Sequence, residues 1–69
     1  MIAVELNGER RELPDGATVA DAVALLGIAP DARGVAVALD REVVPRGAWG
    51  ETAVAAGARV EILTAIQGG

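Results

Sequence analysis

Apolar and polar residues alternate at the start of the chain, which predicts a half-buried strand. In the stretch IAVEL, one face of such a strand carries Ile2, Val4 and Leu6. The dipeptide Asn-Gly follows at positions 7 and 8 and favours a tight hairpin turn, because both residues tolerate a positive φ. The stretch ERREL then predicts a returning strand with Leu13 in the core, and a Pro-Asp-Gly turn ends it.

A helical period follows this predicted hairpin. Thr18 suits the N-cap, and Asp21, three residues later, can complete a capping box. Gly27 suits the position just after the helix, and Pro30 prevents its continuation. The apolar residues at helical spacing, which predict an amphipathic helix, are Val19, Ala22, Val23 and Leu26.

The second half of the chain returns to strand patterns. The stretch GVAVALD is apolar on both faces, which predicts either a central strand of the sheet or a strand covered by the helix on one face and by a partner on the other. A turn at Asp40-Arg41 leads into a short fourth strand, EVVP, and we expect residues 46–58 to form a loop with one helical turn. RVEILTA, from Arg59, predicts a fifth strand with Val60 and Ile62 in the core.

Two strands, a helix and three further strands in this order predict a single α+β domain of the β-grasp type over residues 1–69. In that fold a mixed five-strand sheet packs on one main helix, and the last strand runs parallel to the first in the middle of the sheet. We expect a flexible C-terminal tail to follow it, consisting of Ile66, Gln67, Gly68 and Gly69.

The helix is expected to cover one face of this sheet and to leave the other uncovered. The uncovered face should carry a small apolar patch close to the tail, formed by Ala36 or Val37, Leu63 and Ala65. An exposed apolar patch on a small protein usually marks an interaction site. We therefore expect partner proteins to dock on these residues.

The composition restricts the chemistry that side chains could perform. The chain has no Cys, His or Lys, which excludes a thiolate nucleophile, a histidine base and the usual zinc ligands. Ten acidic against six basic residues, all of them Arg, disfavour a nucleic-acid partner. We therefore expect neither enzymatic activity nor a bound cofactor or metal, and we expect Trp49 to be a packing anchor.

The chain also lacks the signals of membrane insertion and export. No apolar run approaches the roughly 18 residues of a membrane span, and no basic-then-apolar leader opens the chain. We expect a cytoplasmic protein that is monomeric when free.

The terminal carboxylate of Gly69 is the reactive group that remains. Transfer of AMP to a carboxylate creates a mixed anhydride, which nucleophiles attack readily. Without a Cβ, Gly68 and Gly69 can enter a narrow channel of a partner enzyme in an extended form. A chain without Lys cannot form Lys-linked polymers, which favours a carrier over a polymeric tag.

Three stretches resemble the family of thiamine-biosynthesis sulfur carrier proteins, which have a ubiquitin-like β-grasp fold. They are VELNGERRELPDGATVADAVALLG, VAVALDREVVPR and GARVEILTAIQGG, and together they span nearly the whole chain. Asp40-Arg41 departs from the Asn-Gly that this family often has in the second hairpin, which leaves the type of that turn open.

The resemblance implies a role for the C-terminus. A ubiquitin-activating-like adenylyltransferase would use ATP to adenylate Gly69, and Gly68 would be its flexible neighbour. A sulfur donor, in many systems a cysteine desulfurase, would replace AMP and leave a thiocarboxylate. Thiazole synthase would then receive the sulfur.

Two other functions stay open at the level of the sequence. One is a different sulfur carrier of the same fold, such as the small subunit of molybdopterin synthase. The other is a β-grasp interaction module whose tail is chemically inert. Exposure to an activating enzyme and ATP separates a carrier from an inert module.

Overall fold

The computed structural model describes residues 1–65, and in this part of the chain five strands form one mixed sheet beside an α-helix and a 3₁₀-helix. The predicted tail, residues 66–69, lies outside the described residues. The elements are β1 (Ile2–Leu6), β2 (Glu9–Leu13), α1 (Val19–Leu25), β3 (Val35–Leu39), β4 (Glu42–Val44), the 3₁₀-helix (Arg46–Glu51) and β5 (Arg59–Thr64).

The order of the strands in the sheet is β2-β1-β5-β3-β4. β5 pairs parallel with β1 and antiparallel with β3, and the two hairpins β1–β2 and β3–β4 form the outer pairs. This arrangement confirms the predicted β-grasp fold. The last strand therefore lies in the middle of the sheet, with a neighbour on each side.

Both hairpins turn through residues with positive φ. Asn7 has φ 50° and Gly8 has φ 84°, as the Asn-Gly pair predicts. Asp40 and Arg41 adopt the same region, with φ 48° and 74°, so the second hairpin forms without a glycine. Asp40 is held in place by β5, because its Oδ1 accepts a hydrogen bond from the Arg59 N–H at 2.9 Å.

The helix begins and ends where the sequence predicts. The Thr18 N–H donates to the Asp21 carboxylate at 2.8 Å, and the Asp21 N–H donates to the Thr18 carbonyl at 3.0 Å. At the other end Gly27 has φ 77° and donates its N–H to the Ala24 carbonyl at 2.9 Å, which closes the last turn. These local bonds fix a helix of only two turns, whose apolar side packs on the sheet.

The core lies between the sheet and α1 and consists of aliphatic side chains with a single aromatic ring. Ile2, which we predict on the face covered by the helix, is half-buried at the start of β1. No polar or charged residue is buried among residues 1–65. The core residues are Val4, Leu6, Leu13, Ala17, Val19, Ala22, Val23, Val37, Val44, Trp49, Val54, Ala58, Val60 and Ile62.

Val37 belongs to this core, and its prediction as part of the exposed patch is wrong. It is 1% exposed and pairs with Ile62 on β5, whose side chain is also buried. Because side chains alternate along a strand, its neighbour Ala36 points to the uncovered face instead. Periodicity alone could not choose between them, since GVAVALD is apolar at both positions.

Trp49 is the packing anchor that the sequence predicts. It is 5% exposed, and its Nε1–H donates to the Val44 carbonyl at 3.0 Å. It lies in the 3₁₀-helix, which is the helical turn expected within residues 46–58. The Arg46 guanidinium lies over its ring, 4.6 Å from the centroid.

No helix within residues 1–65 has both the length and the apolar composition that a membrane span requires. The same residues contain no cluster of acidic side chains that could hold a metal ion.

Candidate functional site

The face of the sheet opposite α1 is uncovered. Its residues follow from the register, in which Ala36 pairs with Leu63, and Ala38 pairs with Glu61 on one side and Val43 on the other. Each of these is one position away from a core residue, so its side chain points away from the helix.

One half of this face is apolar. Leu63 is 70% exposed and Val43 is 78% exposed, so the two largest aliphatic side chains of this half lie in solvent. Ala65, two positions beyond Leu63, is also exposed. The residues Ala36, Ala38, Val43, Leu63 and Ala65 are called the apolar patch below.

Val43 and Ala38 were missed by the sequence reading. The signal for Val43 is the pair of adjacent valines in β4: if Val44 enters the core, Val43 must point the other way. The strand EVV is too short to show alternation by itself, so its facing depends on pairing with Val37 in β3.

The other half of the face is charged. On β5 and β1, the Arg59 Nε lies 3.0 Å from the Glu5 carboxylate, and on β2 the Arg10 guanidinium lies 3.5 Å from Glu12. Glu61 is exposed between this half and the apolar patch. These exposed pairs contribute little stability, but they give the apolar patch a polar border of the kind that protein interfaces have.

The strand that leads to the C-terminus is held on both sides. On the β1 side, the Ile62 N–H donates to Asn7 Oδ1 at 2.7 Å, and Asn7 Nδ2 donates to the Ile62 carbonyl at 3.0 Å. On the β3 side, the Ala65 N–H donates to the Gly34 carbonyl at 2.7 Å. The chain is therefore fixed to the sheet as far as Ala65, beside the apolar patch.

Of the predicted site residues, some lie on the uncovered face, one lies in the core, and the rest lie outside the described residues. The structure brings Ala36, Leu63 and Ala65 together on the uncovered face and removes Val37 from it. The predicted attachment site and its neighbours lie outside the described residues; they are Ile66, Gln67, Gly68 and Gly69.

The chain is similar to known proteins along nearly its whole length. A sequence model of the ThiS family matches residues 4–69. A comparison with curated protein sequences gives no match.

Two solved structures have the same fold. The crystal structure of a thiamine biosynthesis protein (ThiS) from Geobacter metallireducens is 30% identical, with a TM-score of 0.78, and the match covers 99% of this chain and 100% of that one. The NMR solution structure of a thiamine biosynthesis protein from the same organism is 30% identical with a TM-score of 0.79, and the match covers 99% of this chain and 88% of that one.

Proposed function

The chain belongs to the ThiS family, and from this we propose that it is a sulfur carrier of thiamine biosynthesis. The observation that supports the proposal most strongly is the family match over residues 4–69, which includes the C-terminal Gly68-Gly69. The solved structure of a thiamine biosynthesis protein, matched end to end at 30% identity, supports the same assignment.

The reactive group in this proposal is the carboxylate of Gly69. One of its oxygens attacks the α-phosphorus of ATP in a ubiquitin-activating-like adenylyltransferase, and pyrophosphate leaves. The resulting acyl adenylate is an activated electrophile. ATP belongs to the partner enzyme in this scheme, and the carrier itself binds no cofactor and catalyses no step.

The adenylate is then exchanged for sulfur. A donor such as a cysteine desulfurase supplies the sulfur as a persulfide, whose terminal sulfur attacks the acyl carbon of Gly69, and AMP leaves. A thiol then reduces the S–S bond of the resulting acyl disulfide and forms a disulfide with the donor's cysteine. The product is a thiocarboxylate, which thiazole synthase uses as its sulfur source. Because the chain has no Cys, no side-chain thiol of the carrier can take the sulfur in place of the terminus.

The uncovered sheet face provides a docking surface beside the tail. The apolar patch combines two exposed aliphatic side chains, Leu63 and Val43, with a border of charged residues. We propose that the adenylyltransferase and thiazole synthase both dock on this patch, because both must receive the tail that follows Ala65. Their binding is then mutually exclusive.

The first experiment asks whether the C-terminus is activated. The protein is incubated with ATP and the ubiquitin-activating-like adenylyltransferase of the same organism, and its mass is measured. We expect a gain equal to the adenylyl group, and on addition of a sulfur donor the mass of a carboxylate with one oxygen replaced by sulfur. An inert interaction module stays unmodified under both conditions.

Two variants locate the reaction on the tail. Deletion of Gly69 removes the acceptor glycine, and Gly68→Val places a β-branched side chain where the tail must enter the enzyme. We expect both to abolish adenylation. Urea unfolding of each variant serves as the control, and a change of more than about 0.5 kcal/mol in the free energy of unfolding contradicts a purely chemical role for the tail.

A second experiment identifies the acceptor of the sulfur. The thiocarboxylate form is supplied separately to thiazole synthase and to the large subunit of molybdopterin synthase, and loss of the thiocarboxylate is followed by mass. We expect turnover with thiazole synthase. Turnover only with the molybdopterin enzyme assigns the chain to the other sulfur-carrier pathway.

A further inference from the structure

Gly34 and Ala65 share a backbone hydrogen bond and leave little room for a side chain at position 34. The Ala65 N–H donates to the Gly34 carbonyl at 2.7 Å, so Gly34 pairs with the last residue that the structure describes on the β3 side. A Cβ added to Gly34 would lie 3.0 Å from the Ala65 Cβ and 3.6 Å from both the N and the O of Ala65. Gly34 also has φ 71°, which L-residues adopt at a cost.

Each of these two features favours glycine at position 34 for its own reason. The positive φ is a conformation that glycine adopts without strain, and the missing side chain leaves room for the Ala65 methyl group. Other glycines with positive φ, such as Gly8, Gly16 and Gly27, have open space where a Cβ would be. Among the positive-φ glycines of residues 1–65, Gly34 alone has another residue within 4 Å of its missing Cβ.

The segment that ends in Gly34 is held by Arg46. Its guanidinium donates to the Pro30 carbonyl at 2.7 Å and to the Ala32 carbonyl, and it lies over the buried ring of Trp49. The planar guanidinium can bond both carbonyls at once, which a lysine ammonium does not do in a fixed geometry. A continuous path of contacts thus joins the core, through Trp49 and Arg46, to residues 30–34 and Ala65.

We propose that Gly34 is a positioning residue for the reaction at Gly69, and that Arg46 acts through it. This proposal rests on the function proposed above. Gly34 fixes the position of Ala65, from which the tail begins, and Arg46 fixes the segment that ends in Gly34.

The position of Ala65 matters for the reaction because only four residues follow it. The four residues after Ala65 span at most roughly 14 Å, so the tail has little slack with which to compensate for a displaced starting point. Attack on ATP requires the carboxylate oxygen at about 3–3.5 Å from the phosphorus, in line with the leaving group. A shift of Ala65 therefore reduces the fraction of bound carriers whose carboxylate reaches the reactive position.

The test separates docking from reaction. The Gly34→Ala variant is compared with the original protein for its Kd towards the adenylyltransferase and for its kcat and KM of adenylation. We expect kcat to fall by roughly ten- to a hundredfold, while the Kd changes less than about threefold, because the exposed side chains of Leu63 and Val43 are unaltered. A general loss of folded structure would instead reduce the concentration of folded carrier and raise the apparent KM and the apparent Kd together.

A second substitution distinguishes the contact from the backbone strain. In the double variant Gly34→Ala with Ala65→Gly, the two methyl groups no longer collide, although the strain of a positive φ at position 34 remains. We expect kcat to recover most of its loss while the melting temperature stays as low as in Gly34→Ala. Ala65→Gly by itself is the reference for the double variant, so that the effect of removing one methyl group from the apolar patch is measured separately and subtracted.

A third comparison tests the role of Arg46. Arg46→Lys keeps the positive charge but loses the paired hydrogen bonds to the Pro30 and Ala32 carbonyls. We expect kcat to fall less than in Gly34→Ala, and the Kd to remain that of the original protein. Arg11→Lys alters an arginine of β2 that pairs with the core residue Val4 and therefore lies on the other side of the sheet from the apolar patch. It is the matched control and should leave both values unchanged.

Amide hydrogen exchange at Ala65 tests the contact without any enzyme. We expect the Ala65 N–H to be protected in the original protein and unprotected in Gly34→Ala. An unprotected Ala65 in the original protein overturns the proposal, and so does a Gly34→Ala variant that is adenylated at the original rate. If the original protein is not adenylated at all, the proposed sulfur-carrier function fails, whereas the exchange result still decides whether Gly34 holds Ala65.

Discussion

The side chain of Asn7 pairs with the backbone of Ile62 as a neighbouring strand would. It accepts a hydrogen bond from the Ile62 N–H at 2.7 Å and donates one to the Ile62 carbonyl at 3.0 Å. The pairing of β1 with β5 ends at Leu6 and Val60, because the chain turns away at Asn7. The side-chain amide of Asn7 thus continues the pairing of β1 with β5 beyond Leu6. It holds the last strand close to the point where the tail begins.

The first prediction concerns this pair of hydrogen bonds. Asn7→Asp keeps the acceptor and the tolerance of positive φ but removes the donor, so we expect it to lower the free energy of unfolding by about 1 kcal/mol. Asn7→Gly also suits the turn but removes both bonds, and we expect a loss of about 2 kcal/mol. Urea unfolding measures both values.

The informative result is which of the two variants has the lower free energy of unfolding. Two variants as stable as the original protein would mean that Asn7 serves the turn alone. The Ile62 amide should exchange faster in Asn7→Gly than in Asn7→Asp, because only the aspartate still accepts its hydrogen bond. Equal exchange rates would contradict this assignment.

The second prediction concerns Trp49. Trp49→Phe keeps an aromatic ring in the core but removes the donor to the Val44 carbonyl, and we expect it to lower the free energy of unfolding by about 1–2 kcal/mol. Trp49→Ala leaves a cavity as well and should cost about 3–5 kcal/mol. Circular dichroism is the appropriate probe, since Trp49 is the single tryptophan in the chain and its fluorescence is lost. Similar losses for both variants would show that the ring volume contributes nothing.

The elements of the fold could be predicted from the sequence because their signals are local. Asn7-Gly8 specifies a hairpin, Thr18 and Asp21 specify the start of the helix, and Gly27 specifies its end. Each signal depends on a few adjacent residues and on φ values that few residue types adopt. The order of these elements then indicates the β-grasp fold.

The details of the candidate site could not be predicted, because they depend on pairs of residues far apart in the sequence. Ala36 and Val37 are equally apolar, and only the register with Leu63 and Ile62 shows which of them is exposed. The second role of Asn7 requires a partner 55 positions away. The sequence marks Gly34 only as a turn residue at the start of an apolar stretch, and its contact with Ala65 appears only once β3 and β5 are paired.

The third prediction concerns the ion pair between Arg59 and Glu5, whose side chains are 51% and 45% exposed. We expect Glu5→Gln to change the free energy of unfolding by less than about 1 kcal/mol, since solvent screens the pair and both side chains lose freedom to form it. A loss well above this value in urea unfolding would mean that the pair has a structural role despite its exposure.

The last prediction concerns Leu63 and the proposed docking surface. Because Leu63 is 70% exposed on the uncovered face, Leu63→Asp should leave the domain folded and cost at most about 1 kcal/mol of stability. In the proposed complexes, however, the substitution would put a charged side chain at the centre of the interface in place of the aliphatic side chain of Leu63. We expect the variant to bind the adenylyltransferase and thiazole synthase more weakly, each by about 2 kcal/mol.

The matched control for this prediction is Leu25→Asp. Leu25 is also an exposed leucine, at 41%, but it lies at the end of α1, on the opposite side of the sheet. We expect this variant to bind both enzymes as the original protein does. Titration of each enzyme against the two variants measures the effect, and competition between the enzymes tests whether they share the surface. Because both partners must receive the same tail beyond Ala65, a Leu63→Asp variant that binds either of them at full affinity shows that this enzyme approaches the tail from another face.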